Sequence, residues 1–252
     1  MSNVFVFLGP TLSHREAHAI LPARYLPPVS QGDVYDICLK WSPTALVLID
    51  GAFDSVPSTR HKEILWALSR RVRVFGCSSM GALRASELDR FGMVGHGLIY
   101  RWYRANALAD DDEVTVAMGP AELGSPAVSD ALFDIRVTLK RARLEGVIST
   151  GRTNELVTAA RGLYFKERCY SKLFEVAPDA SDSTLQTWLM QGGKRSVKAD
   201  DARGLLSKLA KANLRQHSHF PTAELEDTLT IAWSRDIADG YTAARKTTIG
   251  DR

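Results

Sequence analysis

Short apolar runs separated by amphipathic stretches constrain this 252-residue chain more than any other feature. Val4–Leu8 and Ala45–Ile49 are apolar throughout, and Val72–Phe75 is interrupted only by Arg73. Apolar runs without polar alternation describe strands covered on both faces, as in a parallel sheet. Ala23–Leu26 adds a brief extended piece that ends at Pro27-Pro28. Between these runs, Ser13–Ile20, Gln31–Lys40 and Arg60–Arg70 read as helices, the last with Ile64, Leu65 and Leu68 on one face. Ser79–Leu88 supplies another. Strands alternating with helices in this rhythm predict an α/β fold: a doubly wound, mostly parallel sheet with helices on both faces.

Beyond about residue 120 the pattern changes. After an expected strand at Val114–Met118, helices are predicted over Ser129–Glu145, Asn154–Tyr164, Ser183–Gln191, Asp200–Leu214 and Thr222–Ala238. The expected organisation is an α/β core over residues 1–120 and a mainly helical C-terminal region over 121–252, with a soft boundary and one continuous domain as the alternative. The five tryptophans are scattered and read as core.

Composition excludes several classes. A net charge of +3 is too weak to imply nucleic acid or an anionic membrane. Cys38, Cys77 and Cys169 stand far apart, which supports neither a disulfide framework nor a zinc site. No apolar run approaches the ~20 residues that span a bilayer, and no basic leader precedes the first apolar segment, so a reducing cytoplasm is expected.

Ligands of an open parallel sheet bind beyond the carboxyl ends of its strands. Gly9-Pro10-Thr11, Gln31-Gly32-Asp33, Asp50-Gly51 and Cys77-Ser78-Ser79 follow the successive strands, and His61, Lys62 and Glu63 open the helix after Asp50. Gly76-Cys77-Ser78-Ser79-Met80-Gly81 runs from strand through turn to helix, a geometry that can expose a nucleophile beside unpaired N–H groups. Ser79 is the candidate nucleophile, with His61 or Lys62 as base and Asp50 orienting it. Met80 and Gly81 would offer oxyanion donors, and Gly9, Thr11, Asp33, Ser78 and Arg84 would complete the rim. The alternative for either serine is an N-cap, and for His61-Lys62 a solvated helix face. Cys77 is either a small core residue or a thiol activated by the helix terminus.

Asp110-Asp111-Asp112-Glu113 could hold Mg²⁺, but its spacing suits a solvated turn or a basic partner better. Arg136, Lys140 and Arg143 form a helical stripe suited to an acidic partner or to solvent. No P-loop or Gly-x-Gly-x-x-Gly fingerprint is present, which ranks a nucleotide- or phosphate-binding protein low.

Several ordered motifs together resemble the TfuA-like family: Val6-Phe7-Leu8-Gly9-Pro10-Thr11, Leu26-Pro27-Pro28 with Gln31-Gly32-Asp33-Val34-Tyr35, Leu48-Ile49-Asp50-Gly51, His61-Lys62-Glu63-Ile64-Leu65 and Gly76–Ala85. The resemblance continues through Phe91-Gly92-Met93, Asp111–Val114 and Gly119–Glu122, over roughly residues 3–150. It implies a cytoplasmic partner of a YcaO enzyme in backbone thioamidation of ribosomal peptides. It also implies a thiocarboxylate hydrolase that supplies sulfide from a ThiS-like, ubiquitin-like sulfur carrier. A non-catalytic adaptor that docks and activates YcaO is the alternative. No cofactor or metal is expected on this chain, with ATP and Mg on the YcaO protein. The precursor peptide and a second copy of the chain are further partners that the resemblance admits.

Overall fold

The computed structural model describes residues 3–52, 56–106, 108–120, 123–180 and 182–212. A five-stranded sheet, parallel at every pairing, has the order β2-β1-β3-β4-β5: β1 Val4–Phe7, β2 Arg24–Leu26, β3 Ala45–Leu48, β4 Arg73–Gly76 and β5 Val94–Gly95. Every residue of β1 and β3 is buried, as continuous apolar strands require. The chain goes out from β1 to β2 on one side and to β3 on the other. That reversal creates a crevice beyond the carboxyl ends of β1 and β3.

Two apolar layers cover the sheet. On one face, α2 (Asp33–Trp41) and α3 (His61–Ser69) bury Val34, Cys38, Ile64 and Leu68 against Phe5, Phe7, Leu46 and Leu48. On the other, α1 (His14–Ile20) and α10 (Val197–Lys211) bury Ala17, Ala202, Leu205 and Leu206 against Val4, Val6, Val47 and Ile49. α4 (Met80–Leu88) follows β4, and α5 (Gly97–Ala105) packs beside it through Ala82 and Ile99.

The expected α/β class and, through residue 212, the helical C-terminal region are what the described residues form. α6 (Leu132–Leu144), α7 (Thr150–Gly162), α8 (Tyr170–Val176) and α9 (Asp182–Trp188) build a separate apolar cluster around Leu139, Leu156, Leu173 and Leu185. From that bundle the chain returns to the sheet as α10, so residues on both sides of position 120 share one core. The helix expected at Thr222–Ala238 lies outside the described residues.

Some local expectations need correction. Val114–Met118 is not a strand: Val114 ends a single 3-10 turn over Asp111–Glu113, and only Met118 makes an isolated antiparallel bridge, to Ala127. The tryptophans are not uniformly core, because Trp41 is half exposed and only Trp66 among the described ones is buried. The acidic run and the basic stripe are in part each other's partners. Arg136 grips Glu113 with both arms at 2.7 and 3.0 Å, while Asp112 receives a 2.6 Å bond from Arg168, an arginine with no solvent exposure. No helix among the described residues is long and apolar enough to cross a membrane.

Candidate active site at the β4–α4 turn

The turn after β4 is held in a strained shape. Ser78 has φ of 67°, and the Ser79 N–H bonds the Cys77 carbonyl at 2.8 Å, closing a γ-turn of the positive-φ kind. Non-glycine residues adopt this conformation at a cost of order 1–3 kcal/mol, so the surrounding structure must impose it. It does so by close packing. Gly81 lies against β3 so tightly that an added Cβ would fall 1.8 Å from the Leu48 carbonyl oxygen.

The two serines have different duties. Ser78 Oγ donates to the Lys198 carbonyl at 2.7 Å and is fully buried, which ties the turn to α10. Ser79 occupies the N-cap position of α4, yet its side chain makes no capping bond. Among the described residues its hydroxyl reaches only the Val114 carbonyl, at 3.5 Å, the outer limit of a hydrogen bond. The capping alternative therefore holds by position but not by chemistry. Met80 then opens α4, and its N–H is among the first-turn donors that a helix leaves without an intrahelical acceptor. The Gly81 N–H leans on the Ile49 carbonyl at 3.4 Å.

Asp50 ends the β3 run, is 1% exposed, and is fully engaged. Its Oδ2 accepts from the Gly9 N–H at 2.9 Å and the Thr11 N–H at 3.0 Å, and its Oδ1 accepts from Thr11 Oγ1 at 2.6 Å. The carboxylate thus spans the crevice between the ends of β1 and β3 and fixes the Gly9-Pro10-Thr11 loop. Three donors supply the compensation that a buried carboxylate needs.

His61 does not join this group. Its Nε2 sits 2.8 Å from Glu87 Oε2 on an exposed face, and Arg84 NH1 reaches the same oxygen at 2.8 Å. Glu87 lies eight residues past Ser79 along α4, about 12 Å of helix rise. An Asp50–His61–Ser79 relay is not assembled, because the acid on the outer end of α4 captures the imidazole. Lys62 follows His61, half-buried at the start of α3. Arg84 also donates to the Thr59 carbonyl at 3.1 Å, which pins the chain entering α3. Asp33 accepts from the Ser30 N–H and hydroxyl at 2.7 and 2.6 Å, closing its own turn at the head of α2.

The cation at the site is Lys198, which the sequence reasoning missed. It stands in the first turn of α10 and is 4% exposed. Its Nζ donates to the Val114 carbonyl at 3.0 Å and lies 3.9 Å from Asp50 Oδ1. Ser79 Oγ and Lys198 Nζ therefore meet on one carbonyl oxygen. Asp134 of α6 positions this end of α10: its Oδ1 accepts from the N–H groups of Val197 and Lys198, and its Oδ2 from Ser196 Oγ. Burial pushes the Asp134 carboxyl above the usual range, opposed by the Lys198 charge and by these bonds.

Cys77 is not an activated thiol. It has no exposure, and burial drives its pKa upward, which favours the neutral SH. The site itself is closed, with Ser79 only 2% exposed. A shallow groove of about 550 Å³ elsewhere is lined by Tyr170, Phe174, Leu189 and Met190 of the helical bundle and includes none of these residues.

Residues 50–169 match the family model described as TfuA-like protein. The matched segment spans Asp50, the serine turn, Val114, Arg136 and Arg168; β1 and α10, with Lys198, lie outside it. No curated protein matches the sequence. The chain carries a TfuA-like region over residues 50–169, and at the level of that family this supports a YcaO-associated partner in thioamidation.

Proposed function

We propose that this protein hydrolyses a thiocarboxylated, ubiquitin-like sulfur carrier and releases sulfide for a YcaO partner, with Ser79 as the acyl-accepting group. One observation carries the reading: the Ser79 hydroxyl, freed from capping, lies at the head of α4 on the same oxygen as a buried lysine. Ser79 Oγ attacks the thiocarboxylate carbon. As the tetrahedral adduct collapses, the C–S bond breaks and the hydroxyl proton leaves with sulfur as hydrosulfide. Water then cleaves the Ser79 ester, restoring the hydroxyl and giving the carrier carboxylate and a proton. Hydrosulfide is a good leaving group near neutral pH, so the step depends on a placed nucleophile and on donors for the oxyanion. Met80 N–H suits the second need. ATP and Mg²⁺ belong to the YcaO reaction and enter none of these steps.

The closed site favours a second reading, an adaptor that docks YcaO without chemistry of its own. Sulfide assay of the isolated protein with thiocarboxylated carrier, without YcaO or ATP, separates the two. The hydrolase reading expects multiple turnovers of sulfide. Complex formation with YcaO and no sulfide under any condition would leave the adaptor. A nucleotide-binding role fits the turn poorly, since the Ser79 and Gly81 amides are directed to the Cys77 and Ile49 carbonyls rather than toward a common anion.

A further inference from the structure

We infer that Lys198 is a substrate-binding catalytic residue, its ammonium receiving the anionic carboxylate or thiocarboxylate end of the substrate where the Val114 carbonyl now sits. Burying an ammonium is costly unless a counter-charge is bonded to it. Asp50 and Asp134 are the carboxylates that face it. Asp50, at 3.9 Å, is beyond hydrogen-bond reach and has three other donors on its oxygens. Asp134 is bonded to the Val197 and Lys198 N–H groups and the Ser196 hydroxyl. Among the described residues Nζ hydrogen-bonds only the Val114 carbonyl, a neutral acceptor, although an ammonium has three donors. The lysine is therefore desolvated and under-compensated, an arrangement that an incoming anion completes.

The position of the Val114 oxygen indicates where that anion would lie. It is 3.0 Å from Nζ and 3.5 Å from Ser79 Oγ. A substrate oxygen in its place would bond the ammonium and bring the attached carbon beside the nucleophile. The Met80 N–H at the head of α4 favours the same charge. Val114 must yield to admit it. Its segment is held at Glu113 by Arg136 and at the Asp112 side chain and carbonyl by Arg168, and the Val114 side chain packs with Ala82 and Ile99. Chain polarity places Lys198 on α10, so the C-terminal part of the chain supplies the charge and the TfuA-like region supplies the nucleophile.

The identity of the substrate rests on the hydrolase reading, but the test does not require turnover. Carrier protein ending in a free Gly-Gly carboxylate and the same carrier ending in a carboxamide are titrated calorimetrically into the full chain and into Lys198→Met. The expected result is at least tenfold tighter binding of the carboxylate form by the wild type. Lys198→Met is expected to lose that preference while holding the amide form unchanged, a pattern that a merely structural lysine would not give. Equal affinities for the two tails in the wild type, or a preference that survives in Lys198→Met, would overturn the inference. Where Lys198→Met fails to fold, Lys198→Gln takes its place, and the wild-type comparison stands by itself. Absence of sulfide release would sink the hydrolase reading while leaving a charge-dependent preference intact. Equal sulfide release by wild type and Lys198→Met would do the reverse.

Discussion

Ser79→Ala is expected to lower sulfide release from thiocarboxylated carrier by at least about a thousandfold while leaving the protein folded. The loss is large because the adjacent hydroxyl, that of Ser78, cannot substitute. Ser78 Oγ is committed to the Lys198 carbonyl at 2.7 Å, and its backbone is locked in the γ-turn. The residual rate would come from water attacking beside the Met80 N–H. The structural cost is small, since Ser79 makes no cap and gives up only a marginal 3.5 Å contact. A lost hydrogen bond of ordinary quality costs about 1 kcal/mol, and this one should cost less. Thermal melting alongside the sulfide assay checks both halves. Undiminished turnover in Ser79→Ala would move the chemistry away from this hydroxyl.

Gly81→Ala is expected to carry the largest stability loss of any single methyl addition at the site, about 3 kcal/mol or more. The new Cβ would stand 1.8 Å from the Leu48 carbonyl oxygen and 2.5 Å from its carbon, both backbone atoms of the central strand β3. No side-chain rotation relieves that clash; α4 has to lift from the sheet. Lifting it would undo the approach that also presses Gly76 to within 2.1 Å, at a built Cβ, of the Gly81 carbonyl. A loss of this size corresponds to a melting temperature roughly 6–12 °C lower for a chain of this length. Gly151→Ala is the control. In the exposed first turn of α7 its Cβ meets nothing nearer than Ser149 Oγ at 3.8 Å, so the substitution should be neutral or slightly stabilising. Equal melting shifts in the two variants would refute the packing argument.

These two cases mark what was legible in the sequence. Val4–Leu8 and Ala45–Ile49 read directly as covered parallel strands, because continuous apolar runs have one plausible home in an α/β fold. The turn at Ser78-Ser79 and the buried end of β3 at Asp50 followed from the same reading. β5 was not legible: Val94–Gly95 is two residues long and carries no periodicity of its own. α10 was recognised as a helix over Asp200–Leu214 and forms over Val197–Lys211. Its destination on the sheet was not recognised, because helical periodicity identifies an apolar face without naming what covers it. That gap hid Lys198. The available signal was the broad apolar set Val197, Ala199, Ala202, Leu205, Leu206 and Leu209, which implies a helix buried on the main core with a lysine in its first turn.

His61 failed for a related reason. Placing a loop on the correct rim says nothing of the direction its side chains take. Glu87, two turns into α4 and held by Arg84 one turn in, draws the imidazole to the outer surface. Their spacing on the sequence is that of an ordinary exposed helical ion pair. For the acidic run, the basic-partner alternative holds over the solvated turn, and which bases it meets was not legible because Arg136 and Arg168 come from elements farther along the chain.

Rapid mixing with thiocarboxylated carrier, acid quench and peptide mass spectrometry tests acyl transfer at the β4–α4 turn most directly. An ester linking the carrier C terminus to Ser79, formed during turnover and missing from Ser79→Ala, is the expected result. Sustained sulfide release with no adduct on any serine of that turn, and with Ser79→Ala as active as the wild type, would contradict it.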